Sequence, residues 1–534
     1  MGQCLSSLLT ISVVSLILAA VVSNTLHRRL SLRVAKINRK LFLLSIGLTA
    51  FILTFLIYNG LFHHGFTILD LDEVGYLFQA ENFSIGRLSS PAPPENLQKF
   101  FDTFHVVIYQ GKIFGKYPFG HCLLLMLGIL VGELSLIPSL IAGLNVMLNY
   151  LLAKEVYDQN VAIYSSLLCL LSPFFLGYSS TLLVQGTSLL FISLFFLFFV
   201  KFVKKPGKIL YPLLSGLFLG MEFNTSPKTA IAISLPFVLY SLYLLMKEKR
   251  RYVKGFVLVI LSFGLMLAAF LSYNRLLTGD PLVMPYLLYC PHDRPGFGPE
   301  MGGVEKEWGP PAGHTLMRGI RAVPINIVSM NQWLGWGYPI SLVFMGLLFL
   351  KGRKNAWDWI SLGLAGSVIT VIITYWGMPY IVRTLGTIYY FEALLPLTLL
   401  AGRGINGFMK EGFPLRQRFL IFFLLLSLVA CLYSLKDSLG YVYRRTRDYD
   451  QLKQQICLQK IHHGLIFVPT EPYNPKGVPL LTYPNHPSFD HDIVYALDLG
   501  NKKNRELMNA YGGRDFYLWE NDSGRLRRYC PERD

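Results

Sequence analysis

Thr67-Ile-Leu-Asp-Leu-Asp-Glu-Val-Gly-Tyr-Leu-Phe-Gln-Ala80 is the stretch on which the reading of this chain turns. It sets three carboxylates, Asp70, Asp72 and Glu73, just beyond an apolar run over 41–62. A bilayer is crossed by about 20 apolar residues, so the run is long enough to span one. Carboxylates are costly in hydrocarbon, which places the acids at the water side. A helix starting near Asp70 puts Asp72, Tyr76 and Gln79 at i, i+4 and i+7 on one face. An acid on a polar face at a membrane surface points to a site. The same residues also read as helix punctuation. Asp70 suits an N-cap, Glu73 completes a capping-box pair, and both suit the helix dipole. Punctuation accounts for Asp70 and Glu73 and leaves Asp72 unexplained.

The 534 residues are 53% hydrophobic and only 15% charged. A soluble globular chain carries about 25% charge. The deficit and the repeated apolar runs indicate an all-α polytopic membrane protein. A net charge of +17 would point to nucleic acid in a soluble chain. Here the basic residues sit in short loops between apolar runs, so nucleic acid is not an expected partner. The clusters are Lys201/Lys204/Lys205/Lys208, Lys247/Lys249/Arg250/Arg251/Lys254, Lys351/Arg353/Lys354 and Arg403/Lys410/Arg416/Arg418. With spans near 41–62, 135–153, 161–177, 183–203, 209–223, 229–246, 254–272, 333–350, 358–376, 386–402 and 418–436, every cluster falls on one side. The positive-inside rule makes that side cytoplasmic.

The first apolar run, over 5–22, lacks a basic n-region and is followed by basic residues. It reads as an extra transmembrane helix with its N-terminus outside, and 1–40 as that helix plus a basic cytoplasmic loop. Residues 118–131 read as a half-inserted helix, which brings the total to about 11–13 spans over 41–436 and the N-terminal segment. The opposite face then carries the outer loops 63–118 and 273–325 and a tail, 437–534. The tail has strand patterns at 464–469, 492–499 and 515–519 and a short helix at 505–511, which makes a small extracytoplasmic α/β domain. Cys457 and Cys530 are candidates for pairing there.

The second outer loop holds His292, Asp293 and Arg294 within a Gly/Pro-rich run. It reads either as a surface loop with a solvated Asp293–Arg294 pair of little energetic value, or as a substrate lid with Arg294 on a phosphate. Lys228 and Arg383 are single cations on the same face. Three cations on the acid-bearing side suit an anionic lipid phosphate. Walker A, GxSxG, HExxH and Rossmann glycine patterns are absent from the sequence.

Asp72-Glu73-x-x-Tyr76 with Gln79-Ala80, then Gly86-Arg87-Leu88, resembles the first outer loop of the GT-C membrane glycosyltransferases. Lys116-Tyr-Pro-Phe-Gly-His121, Leu171-Ser-Pro-Phe-Phe-Leu176, Ser226-Pro-Lys-Thr-Ala230 and Tyr389-Tyr-Phe-Glu-Ala-Leu-Leu-Pro396 are similar to segments of the bacterial relatives of protein O-mannosyltransferases. The resemblance covers roughly 41–436. It implies an inverting transfer of a sugar from a polyprenyl-phosphate donor, on the outer face of a bacterial membrane. It also implies Asp72 as catalytic base with Glu73 in the same site. Tyr76, Lys228, His292, Arg294, Arg383 and Tyr390 are the candidate substrate-binding residues. The acceptor is left open among glycan, lipid and protein. In some relatives paired acids of this loop bind a divalent cation, for which Asp70 and Asp72, with Mg or Mn, are the candidates; in others no metal is needed. The extra N-terminal span and an unlike second loop depart from the family. The alternative is a transporter or flippase of a lipid-linked or anionic substrate, which would call for internal hydropathy symmetry.

Overall fold

The computed structural model describes residues 38–61, 72–103, 105–301, 313–336, 341–376, 382–383, 386–409, 414–469, 485–520 and 523–530. The expected N-terminal span and Asp70 lie outside the described residues. The first helix, α1 (Arg39–Leu61), is followed by α2 (Asp72–Ser84), which carries the acids. The rest of the first loop forms a small antiparallel sheet of β1 (Ser90–Pro91), β2 (Val106–Tyr109) and β3 (Lys112–Gly115), in the order β1-β3-β2. The bundle continues with α3 (Phe119–Val131), α4 (Leu136–Val156), α5 (Gln159–Leu170), α6 (Pro173–Ser179), α7 (Gln185–Lys204) and α8 (Leu210–Phe223). Then come α9 (Pro227–Thr278), the short α10 (Pro285–Tyr289), α11 (Leu316–Leu334), α12 (Val343–Lys351) and α13 (Ala356–Ile373). The strands β4 (Val382–Arg383) and β5 (Gly386–Thr387) lead through a 3-10 turn into α14 (Leu394–Met409) and α15 (Pro414–Leu458).

Among the described residues, six helices are long and apolar enough to cross a membrane, or seven if α5 and α6 form one span bent by 62°. This is a multi-pass integral membrane protein. The break in the span expected over 161–177 falls at Pro173, which lacks an amide hydrogen and starts a new helix. The 52 residues of α9 are two helices joined at Glu248, whose backbone is non-helical. That kink falls in the basic cluster expected to separate two spans. The second loop is shorter than expected. Thr315 caps α11, its hydroxyl accepting the Arg318 N–H at 3.2 Å. Arg318, Arg321 and Pro324 interrupt the apolar run there, so the sequence reads as loop. The span expected over 333–350 begins only at Val343, because Gly335 takes the left-handed conformation and ends α11.

Lipid is as apolar as leucine, so helix association rests on close packing rather than on hydrophobic burial. Small residues allow it here. A Cβ on Gly143 of α4 would lie 2.9 Å from the Gly47 carbonyl of α1, and one on Gly216 of α8 would lie 2.2 Å from the Val259 carbonyl of α9. Gly216 and Gly220 form a Gly-x-x-x-Gly stripe on that contact.

The tail is reached without a break, since α15 runs through residue 437 to Leu458. Its strands are β6 (Gly464–Val468), β7 (Ile493–Leu497), β8 (Asp515–Glu520) and β9 (Arg525–Arg528), with α16 (Asn501–Ala510) between β7 and β8. The sheet order is β7-β6-β8-β9, parallel except for β8 with β9. The central strand β6 is buried throughout, as a strand covered on both faces must be. One face packs with Leu452 of α15. The other shares a core with the first loop, in which Val74, Phe78, Phe100 and Phe101 meet Leu465, Phe467 and Val494. The ring centroids of Phe101 and Phe489 are 4.7 Å apart. The acid-bearing helix is thus wedged between bundle and tail. Cys457 and Cys530 are both free and exposed.

Candidate active site

The first loop folds so that Asp72 meets a histidine. Gly75 lies against the turn before β2, where a side chain would put its Cβ 2.7 Å from the His105 carbonyl. Gly115 of β3 lies as close to the Gly75 carbonyl from the other side. Gln79 ties the layers together, accepting the Gly115 N–H at 2.9 Å and donating to the Leu88 carbonyl at 2.9 Å. His105 takes a left-handed backbone (φ 63°), and its carbonyl accepts the Lys116 N–H at 3.0 Å. Its Nε2 lies 3.1 Å from Asp72 Oδ1.

Burial pushes the Asp72 carboxyl up, but the His105 hydrogen bond and charge, with Lys116 and the Tyr117 hydroxyl, outweigh it and hold the group below the usual carboxylate range. Burial and the Lys116 charge push the His105 imidazole down, against the pull of Asp72. Asp72 keeps 29% of its side-chain surface open, against 13% for His105. The acid is therefore the reachable member of the pair, and it stays ionised.

Lys116 follows β3 and is 2% exposed. Its Nζ sits over three rings, 4.5 Å from the centroid of Tyr286, 4.6 Å from that of Tyr289 and 5.0 Å from that of Tyr117. Burial lowers its pKa to about 8, against the charges of Asp72 and Asp293. The start of α3 is pressed onto the α8–α9 turn, where Gly120 donates its N–H to the Asn224 carbonyl at 2.7 Å. That contact brings in Lys228, in the first turn of α9. Lys228 Nζ lies 3.8 Å and 4.5 Å from the ring centroids of Tyr375 and Tyr389. Among the described residues neither lysine has a carboxylate at ion-pair distance. Two ammonium groups are thus held on aromatic faces near an ionised acid, an arrangement with the charge and the donors to hold an anion.

Several expected residues are placed elsewhere. Glu73 is 1% exposed and turns into the bundle, where Oε1 accepts the Leu182 N–H at 2.9 Å. His121 holds the same segment through the Leu182 carbonyl at 2.8 Å and the Thr187 hydroxyl at 2.9 Å. Tyr76 stays with the site, its ring stacked on Tyr117 at 4.0 Å. His292 and Arg294 are exposed. The solvated Asp293–Arg294 pair does not form, because Asp293 turns inward and is buried. It accepts the Tyr286 hydroxyl at 2.6 Å, the Tyr375 hydroxyl at 2.6 Å and Trp376 Nε1–H at 2.7 Å. Tyr390 is buried with its hydroxyl 3.5 Å from Asn326 Nδ2, and its neighbour Tyr389 faces Lys228 instead. Arg383 lies in β4, and its side chain is outside the described set.

The expected metal pair cannot be placed, since Asp70 is outside the described residues. Among those described, no group of three or more His, Cys, Asp or Glu side chains is arranged to hold an ion. Asp72 and His105 alone fall short of a ligand set.

Residues 124–273 match the family described as dolichyl-phosphate-mannose-protein mannosyltransferase. In fold the chain is similar to ArnT from Cupriavidus metallidurans bound to undecaprenyl phosphate, at 12% identity and a TM-score of 0.58, over 93% of this chain and 97% of that one. The apo state of the same protein matches at 12% identity and a TM-score of 0.55, over 88% and 91%. No curated protein matches the chain in sequence.

Proposed function

Given a chain with the GT-C membrane glycosyltransferase fold, we propose that it is an inverting glycosyltransferase. It moves a sugar from a polyprenyl-phosphate donor to an acceptor hydroxyl on the extracytoplasmic face. The observation that carries this reading is the pairing of an ionised, reachable Asp72 with two lysines held on tyrosine rings and, among the described residues, without a carboxylate at ion-pair distance.

The acceptor oxygen attacks the anomeric carbon as the bond from that carbon to the phosphate oxygen breaks. The acceptor proton passes to the Asp72 carboxylate, the general base. The polyprenyl phosphate departs without a general acid, because a phosphate monoester is a weak base. Its charge rises from one negative to two as it leaves, and Lys116 and Lys228 stabilise that rise. A single carboxylate with no covalent intermediate inverts the anomeric centre. The mannosyltransferase-family segment and a relative in fold bound to undecaprenyl phosphate support a lipid-phosphate donor over the transport alternative.

The test is sugar transfer in membranes carrying the full chain, offered a panel of radiolabelled polyprenyl-phosphate sugars. Transfer that falls by roughly 100-fold or more in Lys116→Met and Lys228→Met supports the reading. Transfer that survives both substitutions removes the anion site from the mechanism.

A further inference from the structure

Asp293 has no part in the mechanism above, yet it joins the two cation platforms. One carboxylate oxygen accepts from Tyr286, the residue after Pro285 at the start of α10. The other accepts from Tyr375 and Trp376, just beyond α13. The Tyr286 ring lies under Lys116 and the Tyr375 ring under Lys228. We propose that Asp293 is a positioning residue for the anion site, which fixes both aromatic platforms through their hydroxyls and balances the charge of the two lysines without touching either. The proposal rests on the anion-site reading above and adds the residue that assembles it.

A carboxylate that accepts three hydrogen bonds is well satisfied in a buried position and fixes its donors. A phenol that donates to a carboxylate gains electron density in its ring, which strengthens the pull of the ring face on a cation. A negative charge one ring away keeps an ammonium protonated without forming an ion pair, so the lysine's own donors stay available to a phosphate. An ion pair at the same place would compete with the substrate. The charged and titratable groups around Lys116 are Asp72, His105, Asp293 and Cys290, with Tyr117, Tyr286 and Tyr289. Around Lys228 they are Asp293, Glu392 and Asp72, with Tyr375 and Tyr389. Asp72 and Asp293 are common to both sets, and among the described residues Asp293 is the one hydrogen-bonded to a ring of each platform.

The experiment compares the full-length protein in lipid nanodiscs with Asp293→Asn and with the double variant Tyr286→Phe/Tyr375→Phe. The double variant keeps both rings and removes their hydroxyls, so it serves if Asp293→Asn does not insert. Binding of undecaprenyl phosphate is measured against pH, and the amine reactivity of Lys116 is measured in the same samples by acylation and mass spectrometry. Both variants are expected to bind about 10-fold or more weakly. In Asp293→Asn the Lys116 amine should become reactive at lower pH than in the wild type, a shift that a loosened fold alone would not direct. Unchanged affinity together with unchanged amine reactivity overturns the proposal. If the wild type itself does not bind undecaprenyl phosphate, the donor reading fails, and the direction of the Lys116 shift still decides for or against Asp293.

Discussion

His105 Nε2 lies 3.1 Å from Asp72 Oδ1, and this contact orients the carboxylate. His105→Leu removes both the donor and the main cause of the depressed Asp72 pKa. Transfer should fall by roughly 10-fold or more, and the acidic limb of the rate profile should move to higher pH. His105→Gln keeps an N–H donor and should recover part of the rate. Steady-state transfer against pH in the two variants checks both expectations.

Lys116 sets the opposite limb. Its pKa is lowered to about 8, so the protonated form prevails below that pH and is lost above it. Transfer should therefore decline as pH rises through about 8. Lys116→Arg stays charged well beyond that range, so whatever rate it retains should hold to higher pH. A profile whose alkaline limb does not respond to this substitution would remove Lys116 from the donor site.

Glu73 has a structural task despite its place beside Asp72. Its carboxylate accepts the Leu182 N–H at 2.9 Å. Glu73→Gln retains an acceptor and should keep most of the transfer rate. Glu73→Leu leaves the Leu182 N–H without this partner at a cost of about 1–3 kcal/mol, which should appear as a lowered thermal midpoint in detergent.

Gly75 is needed for the approach of α2 to His105. In Gly75→Ala the new Cβ would meet the His105 carbonyl at 2.7 Å, so the His105–Asp72 contact must give way. Transfer should drop while the protein still inserts. Gly60→Ala is the control, since a Cβ there meets nothing within 4 Å.

The membrane part of the fold was legible because apolar length and basic clusters are local signals. The kink at Glu248 follows from them, whereas the break at Pro173 and the late start at Val343 do not, because single helix-ending residues set them. What was hidden depends on partners far apart in the chain. His105 precedes an unremarkable strand, and only the approach of Gly75 gives it a role. Lys116 stood in a quoted motif, yet nothing local tells a lysine over three rings from one at a water interface. Asp293 and Arg294 read as a solvated pair in one of two readings, because neighbours of opposite charge do so until the tyrosines that claim Asp293 are in place. In Tyr389-Tyr390 the sequence marks an aromatic pair but not which ring turns toward Lys228.

The most direct measurement is sugar transfer from polyprenyl-phosphate sugars in membranes carrying the wild-type chain or Asp72→Asn at equal insertion. The account predicts transfer by the wild type and a loss of roughly 100-fold or more in the variant, with binding of undecaprenyl phosphate retained. Equal transfer by both proteins would contradict it.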